Sequence, residues 1–576
     1  MNDQEVLVSK LTWLRCLEGV KKFVASDSGG TAKLMALALL LLLLGVSGLN
    51  VVNSYVGRNF MTAIAERDHA GFIGQAMLYI MVFAASTAVA VFYRFTEERL
   101  GLLWREWLTR HLVSAYLSDR TYHRLNDKLA QNGEIANPDQ RIADDVRTFT
   151  VSTLSLVLMA LNSLITIIAF AGVMWTISPL LFVVTVGYSI AGSYFAYKLG
   201  RPLVGLNYNQ FDREANFRSS LIHVRQNAEA IALSRREGRI TSQLLRRVEE
   251  FTGNFRRIIS VNRNLGFFTT GYNYMIQIIP ALVVAPMYIR GEVEFGVITQ
   301  SAMAFAHLVG AFSLIVNQFQ SISSYAAVAA RLDRLEQAIE MAKSPEATDI
   351  VVAEDPDCIG FENLTLYSPE DSKVLVRDLS IRVPHGMRLL ISGPNDTAKV
   401  ALLRATAGIW DAGQGQIIRP NLDTVRFLPE RPYLYPGTLR ELLLRSGEEF
   451  DVPEQRILEI LQALGLEAVM ERAGGLDDEQ DWASVLSLGE EQLLAFTRLL
   501  LAAPCFAFLD RVCTALSDEQ VDQIHKMLIA HGISYVSLEE EGTLHEHYDF
   551  VLELENDGSW GMKKIENGKI SYECVG

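Results

Sequence analysis

The chain has little cysteine and little charge for its length. Its 576 residues include five cysteines, and no two of them form a Cys-x-x-Cys pair. This scarcity excludes a disulfide framework and a cysteine zinc site, and it is typical of proteins in a reducing compartment. Only 21% of the residues are charged and 49% are hydrophobic, which excludes a disordered or fibrous protein. The mean hydropathy of +0.17 indicates that part of the chain lies in lipid.

Charged residues are absent from several long runs. Residues 151–197 contain no Asp, Glu, Lys or Arg. A single helix over this run would be about 70 Å long, over twice the thickness of the hydrocarbon core, so we expect a break at Ser178–Pro179. Four more apolar runs lie at 34 to about 55, 71–93, 265–289 and 296 to about 321. A buried core helix is the alternative for any one run, but together they predict six membrane-spanning helices.

The loops between these spans alternate in length and charge. Residues 94–150 and 198–264 are long, rich in arginine and helical in pattern, whereas 56–70, the turn at 178 and 290–295 are short and nearly neutral. The positive-inside rule then places both termini and both long loops in the cytoplasm. We therefore expect a multi-pass protein in contact with the lipid bilayer, with both termini in the cytoplasm; our expectation for the membrane itself, a prokaryotic inner (plasma) membrane, does not follow from the loops alone.

The two halves of the chain differ in net charge. Residues 1–344 have 33 basic and 26 acidic residues, a balance of +7, and residues 345–576 have 19 and 41, a balance of −22. The acidic half is a poor match for nucleic-acid binding. Short β-branched runs alternate there with amphipathic helices, as in an α/β domain. We expect an N-terminal cytosolic segment (1–30), a membrane domain (31–340), a linker (341–356) and an α/β domain (357–576).

A phosphate-loop pattern lies near the start of the α/β domain. Residues 389–392 resemble a buried strand, and residues 393–400 have the layout G-x-x-x-x-G-K-[ST]. In that motif, backbone N–H groups and the start of a helix cradle phosphate. The match is partial, because Ala398 replaces the second glycine and Val400 replaces Ser or Thr. The candidate nucleotide-binding residues of this segment are Gly393, Pro394, Asn395, Ala398, Lys399 and Val400.

Two later segments strengthen this interpretation. Residues 486–492 (Leu-Ser-Leu-Gly-Glu-Glu-Gln) are similar to the signature motif of ATP-binding cassettes, and residues 506–510 (Phe-Ala-Phe-Leu-Asp) are similar to a Walker B strand. The elements occur in the order that a cassette requires. They add Ser487, Gly489, Glu490 and Asp510 to the candidate nucleotide-binding residues, and nothing in the sequence predicts a set of metal ligands.

With these motifs the chain resembles a half-transporter of the ATP-binding cassette (ABC) superfamily. It is similar to peroxisomal subfamily D fatty-acyl transporters and to bacterial BacA/SbmA-related peptide and cobalamin transporters, whose motifs match residues 137–142, 214–218 and 408–410. The resemblance implies an α-helical membrane domain with six transmembrane helices of ABC exporter type, followed by an α/β P-loop nucleotide-binding domain. It also implies a homodimer or heterodimer, and coupling through loop residues Asn137, Asp139, Gln140 and Asp144.

The departures from the family pattern fall on the groups that hydrolyse ATP. Val400 stands where a Ser or Thr binds Mg²⁺, and an aliphatic side chain cannot ligate a metal. Arg511 stands at the Walker B glutamate, Glu430 at the glutamine loop and Glu540 at the switch histidine. Together with Asp396, the two glutamates bring negative charge toward the phosphates of ATP. We expect ATP to bind weakly or not at all, Mg²⁺ not to bind, and the chain alone not to hydrolyse ATP.

The surviving signature residues have two interpretations. In ABC dimers each ATP site joins the P-loop of one chain to the signature motif of the other. Ser487, Gly489 and Glu490 therefore either complete the site of a partner with intact Walker motifs or remain only as a helix N-cap and packing element. The sequence leaves both interpretations open.

Polar residues interrupt the apolar spans. Intramembrane polar groups usually face a bundle interior or a cavity, although interhelical hydrogen bonding is the alternative for any single one. A proton relay is the less favoured interpretation of His307, since a lone membrane histidine is more often structural. The candidates for the transport pathway are Asn273, Gln277, Gln300, His307, Asn317 and Gln318.

Three classes of function are compatible with these features. The first is a dimeric ABC transporter subunit that moves a peptide, a cobalamin-like solute or an acyl-type solute. The second is a proton-driven transporter with a vestigial cassette, which the absence of Asp and Glu within the spans disfavours. The third is a membrane sensor or scaffold that transports nothing.

Overall fold

The computed structural model describes residues 19–125, 138–343, 349–369, 373–445, 452–539, 545–566 and 569–574. The chain divides into two compact units, Met1–Ser344 and Pro345–Gly576. The first unit is helical in its described residues, and the second combines helices with three sheets. An α-helical membrane domain followed by an α/β domain, as the sequence predicts, is therefore confirmed.

The first unit consists of long helices. Six of its helical segments are long and apolar enough to cross a membrane, which confirms the predicted number of spans. The helices are α1 Gly29–Glu66, α2 His69–Leu117, α3 Val146–Ile177, α4 Pro179–Gly200, α5 Pro202–Gln226, α6 Ala228–Ser234, α7 Glu237–Ile289, α8 Phe295–Phe312 and α9 Leu314–Lys343, with short helical turns at Ser118–Arg120, Pro138–Gln140 and Arg141–Asp145. The six candidate spans contain α1, α2, α3, α4, α7 and α8.

Two helices run through the predicted long loops. Helix α2 has 49 residues and α7 has 53, so at 1.5 Å per residue they are about 74 and 80 Å long. Both exceed twice the roughly 30 Å hydrocarbon core and therefore extend well beyond it. The predicted break at Ser178 is also present: its backbone is extended, its Oγ accepts a hydrogen bond from the Leu181 N–H at 3.4 Å, and Pro179 begins α4.

The last apolar run differs from the prediction. It does not continue as one span to about residue 321, because α8 ends at Phe312 and a new helix begins at Leu314. Ser313, between them, is fully buried and has non-helical backbone angles. Its Oγ lies 2.7 Å from the hydroxyl oxygen of Tyr272 on α7. A contact from another helix thus accompanies the break, and the sequence of the run itself does not show it.

A close approach of α4 holds Tyr272 in place. The Tyr272 ring stacks on Tyr188 at 4.3 Å, and a Cβ atom on Gly192 would lie 2.4 Å from its Cε2. We expect Gly192→Ala to displace the ring and to destabilise the fold by about 1–3 kcal/mol, measured as a lower thermal midpoint of the purified chain in detergent. Gly187→Ala on the same helix is the control, because no atom lies within 4 Å of its Cβ position. Equal midpoints for the two variants would contradict the prediction.

The second unit contains a four-stranded sheet in the order β1-β5-β2-β3 and a seven-stranded sheet in the order β13-β12-β11-β4-β10-β9-β6. A two-stranded sheet joins β7 and β8. The strands are β1 Asp349–Glu354, β2 Cys358–Tyr367, β3 Val374–Pro384, β4 Arg388–Ser392, β5 Gly413–Arg419, β6 Val425–Leu428, β7 Gly437–Thr438, β8 Glu479–Gln480, β9 Phe506–Asp510, β10 Ser534–Leu538, β11 Phe550–Leu554, β12 Trp560–Glu566 and β13 Lys569–Cys574.

The helices of this unit pack around these sheets. Their buried residues form two hydrophobic clusters with those of the strands, including the fully buried Leu390 and Trp482. The helices are α10 Asp396–Thr406, α11 Leu439–Leu443, α12 Glu454–Ala463, α13 Glu467–Ala473, α14 Trp482–Val485, α15 Leu488–Ala502 and α16 Asp518–Ala530, with a short 3₁₀ turn at His545–His547.

The predicted linker 341–356 is partly ordered secondary structure. Helix α9 continues to Lys343, and β1 spans Asp349–Glu354. The strand pairs in parallel with β5, and Ile350 is buried against the second unit. Only five consecutive residues, 344–348, separate the last helix from this strand, so β1 belongs to the α/β unit rather than to a connecting segment.

Parallel pairing brings three strand ends together. β4, β10 and β9 are neighbours and run in the same direction, with Leu538 opposite both Ile391 and Asp510. The carboxyl ends of parallel strands meet at one edge of the sheet, where α/β folds usually bind ligands. The predicted P-loop and Walker B residues therefore lie at the same edge.

Candidate functional site

The P-loop segment folds as a strand, a tight turn and a helix. Gly393 has a φ angle of +113°, and a Cβ atom there would lie 2.4 Å from the Leu554 carbonyl oxygen, so the turn requires glycine. Asn395 then caps α10: its Oδ1 accepts a hydrogen bond from the Ala398 N–H at 3.0 Å. Its Nδ2 donates to the Glu555 carbonyl at 3.2 Å. Gly393 and Asn395 thus fix the conformation of the loop on either side of Pro394.

The P-loop lysine contacts a carboxylate of its own loop. Lys399 is only 5% exposed, and its Nζ lies 2.7 Å from Asp396 Oδ1. In an active P-loop this ammonium contacts the β- and γ-phosphates. The hydrogen bond from Lys399 lowers the pKa of Asp396, which keeps that carboxylate charged. Asp396 therefore places a negative charge beside the group that would bind phosphate.

Little space remains around this pair. A cavity of about 10 Å³ is bounded by Asp396, Lys399 and Val400 on one side and by the Walker B strand end on the other. One water molecule needs roughly 10–15 Å³. The isopropyl group of Val400 faces the cavity at the position where the motif has a hydroxyl.

Arg511 directly follows the predicted Walker B strand, at the position where a glutamate is expected. Arg511 follows β9 with φ +48°, and its N–H donates to the Leu538 carbonyl at 3.0 Å. Its Nε lies 3.6 Å from Asp510 Oδ1 and 4.0 Å from Glu430 Oε2. Burial raises the pKa of Asp510, although the Arg511 guanidinium opposes this shift. Arg511 thus forms an ion pair with Glu430; Glu540, the other predicted carboxylate, lies outside the described residues.

Gln492 is a site residue that the sequence reasoning missed. It is fully buried, and its Nε2 donates to the Glu430 carbonyl and to Thr514 Oγ1, both at 3.1 Å. Its Oε1 accepts a hydrogen bond from the Ala515 N–H at 3.2 Å. One side chain thus connects the glutamine loop to the segment after Walker B. A glutamine at the end of the signature segment was the only sequence signal, and it does not name these partners.

The signature residues form the start of α15. Ser487 Oγ accepts a hydrogen bond from the Glu490 N–H at 3.4 Å, and Glu490 Oε2 accepts one from the Ser487 N–H at 2.9 Å. This reciprocal pair is a capping box. Gly489 lies close to the Ala515 carbonyl oxygen, 3.0 Å from where its Cβ would be. The N-cap interpretation is therefore compatible with the structure, and it does not exclude donation to a partner.

The predicted coupling residues lie at the start of α3. Asp139 and Gln140 are in the short turn Pro138–Gln140, Asp144 is in the π-helical turn Arg141–Asp145, and Asn137 lies outside the described residues. Asp144 is exposed and pairs with Arg218 at 3.4 Å.

A buried charge cluster lies beside them, and the sequence reasoning missed it. Asp145, next to Asp144, is 3% exposed and contacts the guanidinium of Arg331, which is 7% exposed. Arg141 donates to the Arg331 carbonyl at 3.1 Å, and the Arg331 guanidinium lies 5.1 Å from the Phe211 ring centroid. The cluster joins the start of α3 to α5 and α9.

The intramembrane candidates lie in different surroundings. Asn273 and Gln277 are exposed one turn apart on α7, whereas Gln300 is 1% exposed and its Nε2 has no hydrogen-bond partner among the described residues. The His307 ring stacks on Phe170 at 4.5 Å. Gln318 is half-buried on α9, and the side chain of Asn317 lies outside the described residues.

Comparison with known proteins identifies the family. Residues 22–289 match the model of ABC transporter transmembrane region 2. An uncharacterized ABC transporter ATP-binding protein of Synechocystis is 38% identical over 92% of this chain and 81% of its own length. The chain belongs to the ABC transporter family. ABC transporter D family member 2 of Arabidopsis thaliana, a chloroplastic protein, is 34% identical over 97% of this chain and 89% of its own length.

Further matches cover nearly the whole of this chain and of the matched proteins. The human lysosomal cobalamin transporter ABCD4 is 27% identical over 96% of both chains. A bacterial Atm1-family ABC exporter with ATP bound has the same fold, with a TM-score of 0.75 and 14% identity over 92% of this chain and 94% of the exporter. The ABC exporter architecture is thereby confirmed.

The structure places the predicted cassette residues in two groups. The structure brings together all six candidate residues of the P-loop with Asp510, Arg511 and Glu430 at one sheet edge. The signature residues lie at the start of a different helix, α15. At the sheet edge, Lys399 pairs with Asp396, and Arg511 lies close to both Glu430 and Asp510.

Proposed function

We propose that the chain is a subunit of a dimeric ABC transporter whose own P-loop site does not hydrolyse ATP. The contact between Lys399 and Asp396 carries this proposal, because the carboxylate lies 2.7 Å from the ammonium that would bind phosphate. A triphosphate would have to displace the carboxylate from this ammonium. The residues present therefore do not fit ATP with Mg²⁺ well.

The residues at the positions expected for catalysis also support a site that does not hydrolyse ATP. Val400 offers no oxygen to Mg²⁺, and Arg511 is permanently cationic, so it cannot activate an attacking water as a general base. Its guanidinium lies within 4.0 Å of Glu430 and Asp510. We derive no hydrolytic step at this site.

We further propose that the chain donates its signature motif to a partner with intact Walker motifs. The capping box keeps Ser487 and Glu490 in a defined geometry at the helix start, and helix N-termini favour anions. This arrangement predicts a heterodimer with one competent site. A homodimer would have two copies of the self-neutralised P-loop and would need another energy source.

The solute proposed for this transporter is cobalamin-like, acyl-type or peptide. The first of these is supported by the human relative, which is a lysosomal cobalamin transporter. Within the membrane domain, Asn273 and Gln277 are exposed on a helix long enough to cross the bilayer. Polar groups in such a position usually face a water-filled cavity, so we assign them to the pathway. The proposed location is the cell inner membrane, with both termini in the cytoplasm.

Two other functions receive less support. A proton-driven transporter needs a titratable relay, and His307 stacks on Phe170 instead of facing a carboxylate. A scaffold without transport does not need polar residues exposed on a spanning helix. Transport in proteoliposomes driven either by ATP with the partner or by a pH gradient separates the three functions.

The signature donation is tested by Ser487→Ala. When this chain is reconstituted with a partner that has intact Walker motifs, we expect the variant to reduce ATP hydrolysis by about 10²-fold, because the lost hydroxyl would contact the transferred phosphate. Thr438→Ala removes the same kind of capping box from α11 and is the matched control. Equal loss of activity in both variants would reduce the role of Ser487 to helix capping. The unpartnered chain is expected to show no ATP turnover above that of Lys399→Ala.

A further inference from the structure

A cavity of about 60 Å³ lies in the first unit beside the helix formed by residues 19–25. This volume is roughly four to six times what one water molecule needs. Residues 104–112 of α2 line one part of the cavity, and residues 329–336 of α9 line another. The function proposed above uses none of these residues.

The inner wall of the cavity is aromatic. Trp104 and Trp107, one turn apart on α2, both pack on the buried Phe23, with ring centroids at 5.9 and 5.5 Å. Trp104 also meets Phe149 edge-on at 5.8 Å. Aromatic faces attract alkyl chains and cationic groups. The wall therefore accepts an apolar or cationic ligand but offers no binding energy to a free anion.

The mouth of the cavity carries charges of both signs. Lys22 Nζ lies 3.9 Å from Glu336 Oε1, which is beyond hydrogen-bond length, and Asp333 lies one turn earlier on α9. The His111 ring lies parallel to Trp107 at 5.4 Å. Burial raises the pKa of Glu336, while Lys22 lowers it. A ligand with a cation and an anion a few bonds apart would complement this arrangement.

The cavity lies at the boundary of the apolar segments. Phe149 comes two residues before position 151, where the 47-residue run without charge begins. Residues 19–25 come three residues before α1, the first spanning helix. Phe149 contacts Trp104, so Trp104 lies close to the level where lipid head groups meet hydrocarbon and where tryptophan is enriched.

We propose that this cavity binds the head group of a zwitterionic phospholipid with a primary ammonium. The ammonium donates to the carboxylate of Glu336, the phosphate pairs with Lys22, and the methylene groups contact Trp104 and Trp107. A trimethylammonium group has no N–H to donate to this carboxylate. An anionic lipid without the amine offers no ammonium to the Glu336 carboxylate.

The experiment uses the full-length chain in detergent and native mass spectrometry. Phosphatidylethanolamine, phosphatidylcholine and phosphatidylglycerol are added separately at equal concentration, and the lipid-bound fraction is measured. We expect phosphatidylethanolamine to be retained at least about tenfold better than the others, because each lost charge-assisted hydrogen bond costs about that factor. Equal retention of the three lipids would overturn the proposal.

Two variants locate the binding. Glu336→Gln is expected to lower phosphatidylethanolamine retention about tenfold, and Lys22→Met is expected to weaken it less, because phosphate also binds water well. Glu106→Gln is the control, since it breaks an exposed pair with Arg110 on the same helix, α2, outside the cavity. Unchanged retention in Glu336→Gln would show that lipid does not occupy this cavity and would overturn the proposal.

Discussion

Replacing Asp396 by glycine is expected to tighten ATP binding to this chain by at least about tenfold. The carboxylate lies 2.7 Å from Lys399 Nζ, at the group that would contact the phosphates. Like charges 4–6 Å apart cost on the order of 1–4 kcal/mol at an intermediate dielectric, and about 1.4 kcal/mol corresponds to tenfold in affinity. Removal of the carboxylate also enlarges the cavity of about 10 Å³. Binding is measured by titrating a fluorescent ATP analogue into the full chain in detergent.

Two further variants separate the effect of the Asp396 charge from the effect of its side-chain size. Asp396→Asn keeps the size of the side chain and removes its charge, so it is expected to recover part of the gain. Asp396→Glu keeps the charge and is expected to bind no better than the parent chain. If glycine, asparagine and glutamate all leave the affinity unchanged, the pair with Lys399 does not limit nucleotide binding. None of these variants is expected to restore hydrolysis, because Val400 and Arg511 remain.

Replacing Arg331 by methionine is expected to cost about 3–5 kcal/mol of stability. Arg331 is 7% exposed and is the ion-pair partner of Asp145, which is 3% exposed. Removing Arg331 leaves the buried Asp145 carboxylate without its hydrogen-bonded partner, although Arg141 stays nearby, and losing one partner is the costly way to break a buried pair. The free energy of unfolding is measured by denaturant titration in mixed micelles.

The neighbouring pair provides the control. Asp144 and Arg218 form an ion pair at 3.4 Å, but both side chains are more than 60% exposed. Arg218→Met is therefore expected to cost at most about 1 kcal/mol. Combining Arg331→Met with Asp145→Asn is expected to recover part of the loss, because the amide carries no charge. A similar cost for Arg218→Met and Arg331→Met would contradict the assignment.

The fold itself was largely predictable from the sequence. Runs without charge, such as 151–197, can cross a membrane only as helices, because hydrocarbon satisfies no backbone hydrogen bond. Ser178–Pro179 ends such a helix by local chemistry, which the structure confirms. The sequence likewise shows that the side chain of Val400 cannot ligate a metal and that the side chain of Arg511 cannot act as a general base, whatever the packing.

The tertiary structure alone decided which groups meet. No spacing in the sequence pairs Asp145 with Arg331, which are 186 positions apart, or directs Gln492 to the Glu430 carbonyl. The helix break at Ser313 is accompanied by a contact with a hydroxyl from α7, and β1 pairs in parallel with β5 although it lies in the predicted linker. Local chemistry is set within a few residues along the chain, whereas these contacts form only when distant helices and strands are packed together.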